Sequence, residues 1–278
     1  MEYIQSDGLE FLSTVSKEGV DLVLTDPPYI TSRKTGMNTQ MDIVKKVETT
    51  GESVYKEDDW IKYLSTHPEL STHSNIEKIK QNYIRYGSIY GKKYAVKTDY
   101  GDWDKNFTLE LLEKFVKEFY RILRKGGTCI IFFDVWKISY LSDIMKCVGF
   151  KQLRIIQWIK TNPQPLNSRV NYLTNALEIA VLGVKGSKPT FNSQYDNGIY
   201  KFPLQGGKHR FHPTQKNQIL FEELIKKHSN KGDLVLDPFL GSGTTLFACQ
   251  SQKRIFKGCD YSKEYIDKIS ERLKSEKK

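Results

Sequence analysis

The sequence has no apolar run approaching the roughly 18 residues that a membrane-spanning helix needs. Its opening residues, Met1 to Asp7, lack the basic-then-apolar form of a secretion signal. The expected location is therefore the cytosol. Only four cysteines occur in 278 residues, Cys129, Cys147, Cys249 and Cys259, and no two stand in a CxxC spacing. Each lies in apolar surroundings, so they are expected to be reduced and mostly buried, with neither a disulfide framework nor a metal site. Acidic residues are scarce in one quarter of the chain. Residues 151–216 hold ten Lys and Arg against only Glu178 and Asp196, so eight of the net +10 charges fall there. That imbalance suits a face that binds a polyanion, although a merely soluble basic surface has the same composition.

What is present suffices for one large α/β core, because 38% of the residues are hydrophobic. Six short stretches rich in β-branched or aromatic residues read as buried strands: 20–25, 129–133, 154–160, 178–184, 233–237 and 255–260. Helical patterns fall at 8–16, 108–123, 135–148, 215–228, 244–252 and 263–274. Leu109, Leu112, Phe115, Val116, Phe119, Ile122 and Leu123 keep the spacing of one helix face, and Gly126-Gly127 is expected to end that helix. Strands alternating with helices predict a doubly wound, mostly parallel sheet in a single domain over residues 1–278. The strands at 154–160 and 178–184 have no helix between them and are expected to form a hairpin at one edge. Residues 33–100 are polar and break the alternation. They read as an insertion or small lobe, with 76–86 helical, either a solvated excursion or an element that contacts a macromolecule. Residues 185–211 read as a basic loop region with the same two possibilities.

Two motifs carry chemistry. Asp26-Pro27-Pro28-Tyr29 follows the apolar strand Val20 to Thr25, at the carboxyl end where α/β sheets place their sites. The prolines fix φ and donate no N–H, so their carbonyls are free to accept. An exocyclic amine on a flat ring has two N–H donors, which the Asp26 carboxylate and the Pro27 carbonyl would each satisfy. Tyr29 would stack on the ring, worth roughly 1–3 kcal/mol for a base. The plain alternative is a strand followed by a Pro-Pro turn. The second motif, Asp237-Pro238-Phe239-Leu240-Gly241-Ser242-Gly243-Thr244-Thr245, runs from a strand through glycines into a helix start. Such a loop lets a ligand approach the backbone and offers a helix N-terminus to an acidic group. It is neither a Walker A loop nor GxGxxG. Asp260, at the end of the next strand, is placed to meet ribose hydroxyls. Taken alone, this half fits NAD or S-adenosylmethionine.

Together the motifs resemble the β class of amino-methylating DNA methyltransferases, in which the catalytic motif precedes the cofactor loop. The resemblance covers nearly the whole chain apart from 33–100. Residues 26–29 match the family's DPPY, and Phe239-Leu240-Gly241-Ser242-Gly243 matches its FxGxG. His212-Pro213-Thr214-Gln215-Lys216 matches HPTQK, where the family usually continues with Pro and this chain has Asn217, a change expected to alter only the helix start. Asp7-Gly8 resembles the acidic turn near the cofactor adenosine. Gly101-Asp102-Trp103-Asp104 resembles a DWD-type segment. Lys160-Thr161-Asn162-Pro163-Gln164-Pro165, Arg169 and Ala176-Leu177-Glu178 resemble the pattern beside the flipped-base pocket.

The resemblance implies catalytic roles for Asp26, Pro27, Pro28 and Tyr29. It implies S-adenosylmethionine contacts by Asp7, Gly8, His212, Thr214, Gln215, Lys216, Asp237, Phe239, Gly241, Ser242, Gly243, Thr244 and Asp260. It places Lys160, Asn162, Arg169, Lys208, His209 and Arg210 at the DNA. The implied partners are double-stranded DNA, with a cognate restriction endonuclease or a second copy of the chain as further possibilities, and no metal or membrane. No Pro-Cys pair exists to supply the nucleophile for cytosine C5 methylation. The expected step is therefore direct in-line transfer to an amine of a base flipped from the duplex. The Asp form of the motif goes with adenine N6 in this family, with cytosine N4 as the alternative. A catalytically silent DNA-binding subunit and an NAD oxidoreductase are the readings from other classes.

Overall fold

The computed structural model describes residues 1–29, 36–92, 107–163, 173, 175–206 and 215–276; for residues 36–41 it describes the backbone alone. The chain divides into two compact units, Met1–Ile30 with Trp103–Lys278, and Thr31–Asp102.

The larger unit is an eight-stranded sheet. Its strands are β1 (Glu2–Gln5), β2 (Val20–Thr25), β3 (Leu123–Phe133), β4 (Lys151–Lys160), β5 (Leu177–Val184), β6 (Ile199–Phe202), β7 (Leu234–Asp237) and β8 (Ile255–Asp260), in the spatial order β1-β8-β7-β2-β3-β5-β4-β6. Strand pairings are parallel throughout except on the two sides of β5. All strands but β5 therefore end at one edge, and β5 begins there with Leu177-Glu178. This is the doubly wound, mostly parallel sheet expected from the alternation.

Side chains alternate along each strand, so β2 and β3 feed two cores. Leu22, Leu24, Ile130 and Phe132 pack with α7 (Gln218–His228), α8 (Thr244–Gln252) and α9 (Lys263–Ser275). Val20, Val23, Cys129, Ile131 and Phe133 pack with α1 (Gly8–Ser13), α5 (Leu109–Ile122) and α6 (Ile138–Val148). The face read from sequence on α5 is the buried one, with Leu112, Phe115, Val116, Phe119 and Ile122 inside.

Two expectations change, the end of α5 and the edge position of the β4–β5 pair. The helix α5 ends at Ile122, not at the glycines, because Leu123 is already extended and opens β3. Gly126-Gly127 instead forms an irregularity within β3. Leu123 pairs with Val20 and Thr128 with Leu22, and Gly126 sits at φ +80°, where a Cβ would strike the Lys188 carbonyl. The strands β4 and β5 pair antiparallel as expected, but β6 lies outside β4, so the pair is not at the edge. Three of the four cysteines are buried, as expected of a mostly buried set, and Cys147 on α6 is exposed.

The smaller unit contains α2 (Gly36–Thr50), α3 (Glu57–Thr66), a 3-10 turn (Pro68–Thr72) and α4 (Ile76–Tyr86), the last with the bounds read from its pattern. Val44, Val47 and Tyr86 form its buried cluster, and a partly buried set of rings lies on α3 and α4. Tyr63 stacks on His67 and on Tyr83, with ring centroids 4.1 and 4.3 Å apart, and Trp60 is buried beside them. Among the described residues no helix is long and apolar enough to cross a membrane, and no cluster of three metal-ligating side chains occurs.

Candidate active site

The strand order reverses between β7 and β2. From β7 the chain passes through α8 to β8 on one side, and from β2 it proceeds to β3 on the other. Ligands of open α/β sheets bind at such a switch point, beyond the carboxyl ends of the strands. Both motifs emerge there, Asp26 after β2 and Pro238 after β7. Thr25 Oγ1 donates to Asp237 Oδ1 at 2.6 Å, so the two exits are tied together.

Among the described residues, a close ion pair holds Asp26 through one oxygen. Its Oδ2 accepts from the Lys216 ammonium at 2.8 Å. Its Oδ1 is buried and has no hydrogen-bond partner among the described residues. Burial pushes the carboxyl up to about 6; the charge of Lys216 opposes this and that of Glu178 adds to it. Tyr29 packs edge-on against Phe133 at 5.9 Å, and Lys216 Nζ lies 5.3 Å from the Tyr29 ring centre. Pro27 is buried and Pro28 half-buried.

The carboxylate Glu178 at the start of β5 is a major charged member of this cluster, although the resemblance placed it only beside the base pocket. It accepts from Lys216 at 2.6 Å through Oε2 and from Lys160 at 2.7 Å through Oε1. Those two cations hold its carboxyl below the usual range, against the effect of burial. Lys216, assigned by resemblance to the cofactor, thus has its ammonium at the catalytic motif. Its carbonyl accepts from Thr244 Oγ1 at 3.4 Å, at the first residue of α8. Next to it, Gln215 is buried and Asn217 caps α7 by accepting from Leu220 N at 3.0 Å.

The glycine loop is braced from two strands. Asp237 accepts from Thr25, from Thr245 at 2.6 Å and from Phe239 N at 3.0 Å; burial pushes its carboxyl up to about 6. Asp260 accepts from Gly241 N at 2.7 Å and Ser262 N at 2.8 Å, and burial raises its carboxyl too. A carboxylate has about four acceptor positions, so Asp260 keeps capacity for a hydroxyl. Among the described residues the atom nearest the Cβ position of Gly241 is the Phe239 carbonyl at 4.0 Å, which leaves room there for a ligand. Gly243 is the N-cap of α8 at φ +78°, with Ile269 and Phe247 3.0 Å from where a Cβ would stand. Ser242 and Thr244 hydroxyls meet at 3.1 Å. Asp7 caps α1, accepting from Leu9 N and Glu10 N at 2.8 and 3.1 Å, and Gly8 lets α1 pack on Phe115.

The residues expected at DNA divide differently. Lys160 is paired with Glu178, and Asn162 accepts from Leu204 N at 2.6 Å, so both are engaged internally. Arg169, Lys208, His209, Arg210, His212 and Thr214 lie outside the described residues, as does the segment Gly101 to Asp104. The basic stretch 151–216 is also less of a surface than its composition implied. Lys185 is buried, donating to the Leu123 carbonyl at 2.8 Å and pairing with Glu18 at 3.2 Å. Lys151, Arg154, Lys188 and Lys201 are exposed.

The chain is similar in sequence and fold to known methyltransferases. Type II methyltransferase M2.DpnII of Streptococcus pneumoniae is 27% identical over 99% of this chain and 90% of its own length. The crystal structure of the M1.HpyAVI–SAM complex superposes with a TM-score of 0.61 at 25% identity, covering 98% of both chains. The PvuII DNA methyltransferase, described as cytosine-N4-specific, shares the fold with a TM-score of 0.63 over 98% of this chain and 85% of its own, at 16% identity. The N6_N4_Mtase family, described as a DNA methylase, matches residues 20–272, and the chain belongs to that family.

Proposed function

We propose that this protein transfers a methyl group from S-adenosylmethionine to the exocyclic N6 of an adenine flipped out of duplex DNA. The observation that carries the reading is Asp26, whose buried Oδ1 has no hydrogen-bond partner among the described residues while Lys216 holds Oδ2. A buried acceptor without a donor is costly, typically about 1–3 kcal/mol, and an amine N–H would relieve it. The Pro27 carbonyl would take the second N–H, which aims the nitrogen lone pair away from both acceptors. Tyr29 would lie on the ring. The cluster keeps neutral total charge when Asp26 is ionised, with Lys160 and Lys216 balancing Asp26 and Glu178.

The cofactor loop fits the same reading. The open space at Gly241, the start of α8 and the Asp260 carboxylate offer a backbone cradle, a helix N-terminus and an acceptor for a hydroxyl. S-adenosylmethionine supplies an activated methyl group when bound. Asp26 orients the amine and accepts or relays the proton that departs after transfer, and no covalent enzyme intermediate is required. The Asp form of the motif supports adenine, and the type II methyltransferase relative supports a modification role, with or without a restriction partner.

Nucleoside mass spectrometry of duplex DNA treated with the protein and S-adenosylmethionine tests this. N6-methyladenine is expected. N4-methylcytosine instead would overturn the adenine assignment and keep the mechanism. No methylated nucleoside, with the cofactor bound, would overturn the activity itself.

A further inference from the structure

Lys216 is among the most deeply buried charges of the site, and a cofactor role alone does not account for where its ammonium lies. Its side chain is 6% exposed and donates to Asp26 Oδ2 at 2.8 Å, Glu178 Oε2 at 2.6 Å and Tyr29 OH at 3.3 Å. An ammonium has three donors, so these acceptors use all of them. We propose that Lys216 is a positioning residue for methyl transfer, fixing Asp26 through Oδ2 so that Oδ1 faces the target amine, with Glu178 as its anchor. The proposal rests on the reading of Asp26 as the acceptor for that amine.

The geometry favours this over a general structural role. Burying a cation costs several kcal/mol unless it is paired and fully hydrogen-bonded, and a lysine anchoring helix α7 alone would not need two carboxylates. Glu178 is itself steadied by Lys160 on its far oxygen at 2.7 Å. The row Asp26, Lys216, Glu178, Lys160 thus alternates in sign across the end of β2, the start of β5 and the end of β4. Lys216 also touches the other half of the site, since its carbonyl accepts from Thr244 Oγ1 at 3.4 Å beside the glycine loop. One residue therefore relates the amine acceptor to the cofactor loop. Its neighbours hold Lys216 charged, well above its ordinary range, so it does not take the reaction proton. That proton goes to Asp26 or to solvent.

The groups that bear on Asp26 are Lys216, Glu178, Tyr29 and, at the end of β7, Asp237. Removing the nearest cation disfavours the ionised carboxylate, and removing the nearby anion favours it. The test is single-turnover methyl transfer from pH 5 to 9 on duplex DNA that the wild type methylates. Lys216→Met, Lys216→Arg, Glu178→Gln and Asp26→Ala are compared with the wild type, with thermal midpoint and S-adenosylmethionine binding measured for each. The acid limb is expected to move up by about 1 pH unit or more in Lys216→Met, as for loss of a close opposite charge. It is expected to move down in Glu178→Gln and to stay in place in Lys216→Arg. At pH 8, Lys216→Met is expected to lose roughly ten- to a hundredfold in transfer rate through misorientation. A purely structural lysine would lower the rate in the variants and leave the acid limb fixed, which overturns the proposal. Where Lys216→Met does not fold, an unmoved limb in Glu178→Gln overturns it equally. Retained transfer by Asp26→Ala would instead overturn the underlying reading of Asp26.

Discussion

Thr25 and Asp237, the last residues of β2 and β7, are joined by a 2.6 Å hydrogen bond from hydroxyl to carboxylate. One residue on from Thr25 stands Asp26, and beyond Asp237 runs the glycine loop. The bond therefore sets the spacing of the two motifs at the point where the strand order reverses. Asp237 is committed to this brace, because Thr245 and Phe239 N engage it as well.

Removing either hydroxyl should loosen both halves together. Thr25→Val and Thr245→Val each leave a buried carboxylate short of a donor, at a cost of about 1–3 kcal/mol in urea unfolding. Calorimetric binding of S-adenosylmethionine should weaken in the same variants. A Thr25→Val protein with wild-type stability and wild-type affinity would show that the brace is dispensable.

Activity and stability should respond oppositely to pH. Burial first, and Glu178 after it, push Asp26 up to about 6 against the pull of Lys216, from an ordinary value of 3.8. The folded state then binds the proton more tightly than the unfolded chain, so the Asp26 contribution to stability falls as pH rises from about 4 to 6 and is level above. Asp237, also near 6, acts in the same direction. On the proposed mechanism transfer needs ionised Asp26, so it should rise through that window. Thermal midpoints of Asp26→Asn at pH 5 and 8 should differ less than those of the wild type. An equal difference in both proteins would remove Asp26 from the account.

Asn217, where the family usually has Pro, should matter for the helix rather than for chemistry. Its side chain accepts from Leu220 N at 3.0 Å and donates to the Pro203 carbonyl at 3.0 Å. Asn217→Ala should lose about 1 kcal/mol, as for other N-caps. Its single-turnover rate at saturating substrate should stay near that of the wild type. A large rate loss with unchanged stability would mean that Asn217 orients its neighbour Lys216.

The sheet was legible where both of its faces are covered, because such strands read as short continuous apolar runs; β2, β3, β5 and β8 are of this kind. The strands β1 and β6 were not, since each has four residues with half or more exposed and shows no apolar run. Without β6, β4 looked like the edge. The motif loops were legible because proline and glycine mark unusual backbone and because their order matches a family. The ion row was not. Glu178 lies 38 residues from Lys216, and sequence spacing carries no signal for a pair joined only across the sheet. The same blindness inflated the basic patch, since a lysine reads as a surface charge whether or not a carboxylate waits beside it. Lys160 and Lys185 both have one.

The salt dependence of DNA binding should follow the edge a cation occupies, not its membership of the basic stretch. Lys151 opens β4 and Arg154 follows within it, while Lys188 lies next to Gly126, at the start of β3. These three stand at the edge opposite the carboxyl ends that carry Asp26. Lys201 stands beside Ile159 near the end of β4, at the site edge. Each phosphate contact contributes about 0.9 to the slope of log K against log salt. Lys201→Ala should therefore reduce the slope by about 1, whereas Lys151→Ala and Lys188→Ala should leave it unchanged. Fluorescence anisotropy of labelled duplex between 50 and 200 mM salt, roughly the range over which such contacts show, resolves the difference. Equal reductions in all three variants would mean that DNA wraps to the far edge of the sheet, and the composition of 151–216 would then have been the better guide.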